Sequence, residues 1–177
     1  MVTTSSALIL LALAPCIVAP AASGAARRTN RVEVTASFAP PTLAASHPAV
    51  TFDPTLVPLG SRVQVVQFRQ GAGGDAGNVL VETLRVRGLE PRVRYFAYAY
   101  AHACGATPAA AGVRVQDGPS SAHYPQNEIW LGFRTDGHGR AASSARQYWL
   151  APGRARSIVI DARPNAEPVA CVTIALQ

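Results

Sequence analysis

The chain has 177 residues, of which 49% are hydrophobic, and its formal net charge is +6. This length suits one domain of ordinary size with an N-terminal extension and disfavours two full domains. All 16 basic residues are arginines scattered along the chain, a pattern that indicates a dispersed charged surface and excludes a nucleic-acid-binding block. Attraction to an anionic polymer of the cell envelope stays open.

Residues 1–26 have the features of a signal peptide. No charged side chain precedes Arg27, and an apolar run at 7–13 is followed by small residues suited to cleavage. Pro15 and Pro20 follow this run and limit its length, which is shorter than the roughly 20 residues of a membrane-spanning helix. We therefore expect export to the cell envelope or outside the cell, with no membrane span after cleavage. A membrane anchor and a lipoprotein site at Cys16 are the alternatives.

Cleavage would remove Cys16 and leave two cysteines, Cys104 and Cys171. An even number of cysteines in an oxidising compartment favours a disulfide. The alternative is a pair of buried free thiols.

The rest of the chain has the pattern of an all-β protein. Residues 27–60, rich in Pro, Ala and Thr, are expected to form an extended lead-in that supplies one strand, followed by a β domain at 61–177. In that domain, segments rich in Val, Ile and aromatic residues alternate with turn residues, and no 3.6-residue period is sustained. A β-sandwich or barrel is therefore predicted. The predicted strands are 62–69, 78–86, 94–103, 129–135, 145–150, 155–160 and 169–176.

Turn residues separate these strands. A glycine-rich reversal is predicted at 71–77, a turn at 88–91 and a hairpin at 136–139. The long connection between Cys104 and Asn127 has no pattern of its own. Long loops in compact domains are often functional, so this loop is a candidate for function.

The strand at 94–103 alternates large residues with alanines. Its alanine face suits a tight interior, whereas its other face carries Phe96, Tyr98, Tyr100 and His102. These four side chains are expected to point outward under the long loop. Phe96, Tyr98 and Tyr100 are the candidate interaction surface.

A series of short motifs occurs in a set order between residues 62 and 175. Together they resemble the copper/zinc superoxide dismutase family, particularly its secreted bacterial relatives. The resemblance implies an eight-stranded Greek-key barrel in which the loop cysteine, Cys104, is bonded to Cys171 of the last strand. The motifs are Gly88-Leu89-Glu90-Pro91, the alternating strand, Cys104-Gly105, Gly112, Pro125-Gln126-Asn127-Glu128-Ile129-Trp130-Leu131, Ala155-Arg156-Ser157-Ile158-Val159-Ile160 and Ala170-Cys171-Val172.

The same resemblance implies that the metal site is degenerate. The family's paired copper histidines fall on Tyr98 and Tyr100, its bridging histidine on Arg114 and its last copper histidine on Asp161. Its active-site arginine falls on Pro168. Copper cycling needs imidazole ligands, whereas a phenol is mostly protonated at neutral pH and a guanidinium repels a cation. We therefore expect no catalytic residues, no copper/zinc centre and no other cofactor.

Two hypotheses follow for the degenerate positions. Arg114 and Asp161 are expected to lie within about 6 Å and to form an ion pair, with the Tyr98 and Tyr100 hydroxyls as hydrogen-bond partners. Alternatively, both charged groups project into water.

A separate alternative is a zinc or copper site improvised from His102, His123 and Asp161. The expected function is thus an exported superoxide dismutase-like domain without a catalytic metal site, acting as a structural or binding module for an unknown partner. The alternative function is superoxide disproportionation at an unusual metal site.

Overall fold

The computed structural model describes residues 31–70, 79–118, 127–149 and 154–176. The predicted signal peptide at 1–26 and glycine-rich reversal at 71–77 lie outside these ranges. The described residues form nine strands: β1 (Arg31–Ser37), β2 (Ala49–Thr51), β3 (Arg62–Gln70), β4 (Val79–Arg87), β5 (Arg94–Tyr100), β6 (Phe133–Arg134), β7 (Ala141–Gln147), β8 (Ser157–Ala162) and β9 (Glu167–Thr173).

The helices in the described ranges are two short 3-10 turns, Pro41–Leu43 and Pro108–Ala111. Neither has the length or the hydrophobicity that crossing a membrane requires.

The strands form two antiparallel sheets. The first sheet has the order β1-β3-β4-β7, and the second has the order β2-β9-β8-β5-β6. The all-β prediction is confirmed, and the two sheets are compatible with a sandwich. The expected number of eight strands in a closed barrel is not confirmed, because the described residues have nine strands in two separate sheets.

The N-terminal segment supplies one strand to each sheet, not one strand in all. β1 pairs with β3 over its whole length, and β2 pairs with β9. Exposure alternates along β1, and its Val32, Val34 and Ala36 pack against the core. This period of two is that of a strand with one face buried.

The inward faces of the two sheets share one hydrophobic core. Val63, Val65 and Leu84 come from the first sheet, and Ile158 and Ile160 come from the second. Each of these side chains is at most 1% exposed, and burying one stabilises the fold by about 1.5–3 kcal/mol. The two sheets are therefore held together by this core.

Two strand boundaries differ from prediction in an instructive way. The strand predicted at 145–150 begins at Ala141 instead, since the Ala141–Ser144 segment pairs with β4 although it has no large apolar residue. The strand predicted at 129–135 is reduced to Phe133–Arg134, although Trp130 still bridges to Tyr98 of β5. In both places backbone pairing with a neighbouring strand, not side-chain pattern, decides the structure.

The turns after β4 and β6 carry the chain from one sheet to the other. Gly88 and Gly139 have φ values of 81° and 68°, which glycine adopts without strain. The predicted hairpin at 136–139 is a tight turn in which Asp136 Oδ1 accepts hydrogen bonds from the His138 and Arg140 backbone N–H groups. It is not a hairpin between paired strands, because β6 and β7 belong to different sheets.

Candidate functional site

The outer face of β5 is the floor of the candidate site. Ala97 and Ala99 are buried in the core, whereas Phe96, Tyr98 and Tyr100 are half-buried on the outer face. The expected division of the strand into an alanine face and an aromatic face is confirmed for these residues.

Tyr95 is an exception to the division by size. It lies on the inner face with the alanines and is fully buried. Its ring stacks on Phe133 at 5.2 Å, and its hydroxyl donates a hydrogen bond to the Leu56 carbonyl at 2.9 Å. An aromatic side chain with a satisfied hydroxyl therefore fills the core at this end of β5.

The loop after β5 folds back along the end of that strand. The backbone N–H of His102 donates to the Ala111 carbonyl at 2.9 Å, and the N–H of Val115 donates to the Ala99 carbonyl at 2.9 Å. Gly112 makes the reversal with a φ of 78°, and a Cβ there would lie 2.8 Å from the His102 ring. Only glycine fits this turn. The reversal brings the following residues beside Tyr100, where Arg114 forms a backbone bridge with it.

A disulfide fixes the same loop to the last strand. Cys104 is bonded to Cys171 of β9, as expected, so the two cysteines are not free thiols. The Cys104 backbone N–H also donates to Thr173 Oγ1 at 3.0 Å. The loop is thus anchored both covalently and by a hydrogen bond.

Arg114 is the centre of the site. Its Nη2 lies 3.5 Å from Asp161 Oδ2 and its Nη1 lies 3.9 Å from Glu128 Oε2. Its Nε donates to the Tyr100 hydroxyl at 3.4 Å, and its Cζ lies 3.7 Å above the centroid of the Tyr98 ring. We call Tyr98, Tyr100, Arg114, Glu128 and Asp161 the Arg114 cluster.

The cluster confirms the expected ion pair between Arg114 and Asp161 and one of its two expected tyrosine hydrogen bonds. Arg114 and Asp161 are well within the 6 Å limit, and the Tyr100 hydroxyl accepts a hydrogen bond as expected. Tyr98 contributes its ring face instead of its hydroxyl, in a cation–π contact. Both charged groups therefore face each other and do not simply project into water.

Burial is the largest influence on the pKa of Asp161. Its side chain is 3% exposed, and burial raises its pKa to about 6, although Arg114 and then Arg163 act to lower it. Its Oδ1 is buried and has no hydrogen-bond partner among the described residues. The ion pair thus compensates for only part of the desolvation of the carboxylate.

The donor atoms of the cluster do not fit a copper ion. Burial raises the pKa of Tyr98, so its phenol stays protonated near neutral pH even though Arg114 opposes the shift. A guanidinium is a cation without a lone pair to donate, and it occupies the space directly above the Tyr98 ring. Two phenols, one guanidinium and two carboxylates therefore cannot replace the neutral imidazoles that a copper/zinc centre uses.

Of the improvised metal site of His102, His123 and Asp161, the structure describes His102 and Asp161 alone. His123 lies outside the described residues, and His102 is exposed on the loop. No group of three or more His, Cys, Asp and Glu side chains in the described ranges is arranged to hold a metal ion. Asp161 instead faces Arg114.

Sequence reasoning missed two charged members of this surface. Glu128 is 5% exposed and accepts a hydrogen bond from Gln116 Nε2 at 3.0 Å, besides lying near Arg114. Arg163 covers the ring of Phe96 at 4.4 Å. The loop has no sequence pattern that would have shown this, because Glu128 is brought beside Arg114 by the pairing of Gln116 with Glu128.

No family model, curated protein or solved structure matches this chain. Its function must therefore be inferred from the residues and their geometry.

Proposed function

We propose that this chain is an exported superoxide dismutase-like domain without a catalytic copper/zinc site, which acts as a structural or binding module. The observation that carries this proposal is the position of Arg114, whose guanidinium lies 3.7 Å above Tyr98 and 3.5 Å from Asp161. A fixed positive charge at that place opposes binding of a copper ion.

The strand order supports the Greek-key part of the proposal. β5, β6 and β7 follow one another in the chain, and β8 returns to pair with β5. β6 and β7 contact each other between the two sheets. The succession β8-β5-β6-β7 resembles a Greek key, in which the fourth strand lies beside the first, although β6 and β7 are hydrogen-bonded in different sheets.

The contacts of the cluster support a structural role for it. Arg114 belongs to the loop, Asp161 to β8 and Tyr98 to β5, so the cluster joins the loop to two strands of the second sheet. In the family that the sequence resembles, the metal ions make such a link between loop and barrel. We infer that side chains make the link here.

The same contacts define the surface offered to a partner. Arg163 and Arg114 cover the ring faces of Phe96 and Tyr98, and Trp130 packs against Phe96 with ring centroids 5.3 Å apart. The aromatic face is therefore presented beneath guanidinium groups and not as a bare apolar patch. Arg114 is already paired with Asp161 and Glu128, so an acidic group of a partner would contact Arg163 on this face.

The Cys104–Cys171 disulfide supports the export part of the proposal, together with the signal-peptide features of residues 1–26. Disulfides persist in oxidising compartments. Secretion or retention at the cell envelope is the proposed location.

Metal content and superoxide disproportionation test the function together. Protein recovered from its native compartment, and protein loaded with copper and zinc and then dialysed, would be measured for metal per chain and for activity against free copper. We expect substoichiometric metal and no activity above that of free copper. Stoichiometric copper with activity abolished by His102→Ala would instead establish the alternative, a superoxide dismutase with an unusual site.

A further inference from the structure

The outer face of the first sheet carries a cluster of arginines on two neighbouring strands. The register pairs Arg62 of β3 with Arg87 of β4, and it places Arg85 opposite Gln64 on the same face. All three arginines are exposed. Like charges directly opposite each other on neighbouring strands destabilise a sheet, so this arrangement costs stability unless an anion offsets it.

The chain supplies little negative charge to this face. Glu33 is the one carboxylate that the four described strands of this sheet place there, and it is already bound by Arg31 Nη2 at 2.7 Å and by Gln64 Nε2 at 2.7 Å. Among the described residues, Arg62, Arg85 and Arg87 form no ion pair, although Arg85 Nη1 donates to Gln64 Oε1 at 3.4 Å. Most of their N–H donors therefore remain available to a ligand.

These arginines line a depression of about 210 Å³. Its walls are Thr35, Arg62, Val63, Gln64, Arg85 and Arg87. The planar fork of each guanidinium matches the spacing of two phosphate oxygens, and the Thr35 hydroxyl adds a neutral donor. The site therefore combines three positive charges with hydrogen-bond donors in a shallow concave surface.

We propose that this depression is a binding site for a phosphate-type oxyanion, held by Arg62 and Arg87 across the two strands and by Arg85 at its side. A multiply charged anion is favoured over a single carboxylate because three arginines line the same depression. The site goes beyond the function proposed above, since it lies on the other sheet and uses no residue of the Arg114 cluster. The source of the phosphate is either a free anion or a phosphate group carried by a polymer.

Calorimetric titration at physiological ionic strength tests the site, with pyrophosphate as the free anion and long-chain polyphosphate as the polymer. The test variant is Arg62→Gln with Arg87→Gln. The matched control is Arg94→Gln with Arg134→Gln, which removes a pair of exposed arginines that lie opposite each other on β5 and β6 and lowers the net charge equally. Unfolding of each variant without ligand would be measured in parallel, because removing exposed like charges should leave the fold intact.

We expect the test variant to bind pyrophosphate at least tenfold more weakly than the wild type, because it loses at least one charge-assisted hydrogen bond. The control is expected to bind like the wild type. Binding of polyphosphate alone, with the same dependence on Arg62 and Arg87, would support the site and assign it to polymer-borne phosphate. The proposal would be overturned if both double variants bound pyrophosphate equally weakly, or if polyglutamate bound the wild type as tightly as polyphosphate does. It would also be overturned if neither phosphate ligand bound.

Discussion

Two of the carboxylates that the fold buries, Asp161 and Glu82, lie in different surroundings. Asp161 lies on the outer face of the second sheet, with Arg114 at 3.5 Å. Glu82 lies on the inner face of the first sheet, is fully buried, and accepts a hydrogen bond from Gln67 Nε2 at 2.9 Å. Burial raises the pKa of Glu82 to about 7, while that of Asp161 rises to about 6.

The difference shows two ways in which a fold accommodates a buried carboxyl group, by protonation or by pairing with a cation. Among the described residues, Glu82 Oε2 and Gln147 Oε1 are both buried acceptors without a donor. A protonated Glu82 has a hydroxyl to donate, so its neutral form suits this environment. Asp161 has a cationic neighbour instead, and the Cys104–Cys171 disulfide holds the loop that carries that cation. Interior packing therefore favours a proton on Glu82, whereas Asp161 depends on the loop.

The largest expected effect comes from releasing that loop. Cys104→Ala with Cys171→Ala removes a cross-link between residues 67 positions apart, and we expect the free energy of unfolding to fall by about 4 kcal/mol. Denaturant unfolding would measure the loss, with the wild type under reducing conditions as the control. Unchanged stability in both would contradict the view that the disulfide holds the loop in place.

The next effect concerns Glu82 and depends on pH. Because the pKa of Glu82 is raised from 4.5 to about 7 in the folded state, its contribution to stability is full below pH 4.5 and is lost as the pH rises through 7. Glu82→Gln removes this loss. We therefore expect the free energy of unfolding of the variant to exceed that of the wild type by about 3 kcal/mol at pH 8 and to equal it at pH 4.

Denaturant unfolding at both pH values checks this expectation. Glu167→Gln, at an exposed position in β9, is the matched control and should differ little from the wild type at either pH. A difference between Glu82→Gln and the wild type that does not change with pH would show that Glu82 is not the titrating group.

The sequence predicts one of these two carboxylates and not the other. The resemblance places Asp161 and Arg114 at two ligand positions that would share one copper ion, and their pairing is predicted from that shared place. Glu82 lies in a predicted strand, but alternation alone does not distinguish a buried glutamate from an exposed one in a register that is unknown. Its burial became clear only when the structure paired it with Gln67 and set it between Leu80 and Leu84.

The fold shows the same limit. Alternation of apolar residues predicted β3, β4 and β5 closely, because each has one face in the core. It failed for the Ala141–Ser144 segment, whose small side chains carry no pattern and whose strand structure depends on pairing with β4. Glu128 and Arg163 likewise joined the site through tertiary contacts that separate parts of the chain make with each other.

A smaller effect is expected from removing the cation beside Asp161. Arg114→Met keeps much of the apolar stem but leaves the buried Asp161 carboxylate unpaired at pH 8. Loss of a fully buried partner costs about 3–5 kcal/mol, but the Arg114 side chain is 36% exposed, so solvent screening reduces the expected loss to about 2 kcal/mol.

The sign of the pH dependence distinguishes this variant from Glu82→Gln. The pKa of Asp161 is raised to about 6, so its carboxyl is mostly neutral at pH 4 in the folded state. Arg114→Met should therefore lower the free energy of unfolding less at pH 4 than at pH 8. Arg94→Met, at an exposed position at the start of β5, is the control. An equal loss at both pH values would indicate that Arg114 acts by packing and not by charge.

The smallest effect tests the hydroxyl in the Arg114 cluster. Tyr100→Phe retains the ring but removes the acceptor that Arg114 Nε reaches at 3.4 Å, a long hydrogen bond whose loss we expect to cost about 0.5 kcal/mol. Tyr148→Phe, at a residue that is 80% exposed, is the matched control and should leave stability unchanged. If Tyr100→Phe also leaves stability unchanged while Arg114→Met does not, then the two carboxylates and the Tyr98 ring suffice to hold the guanidinium in place.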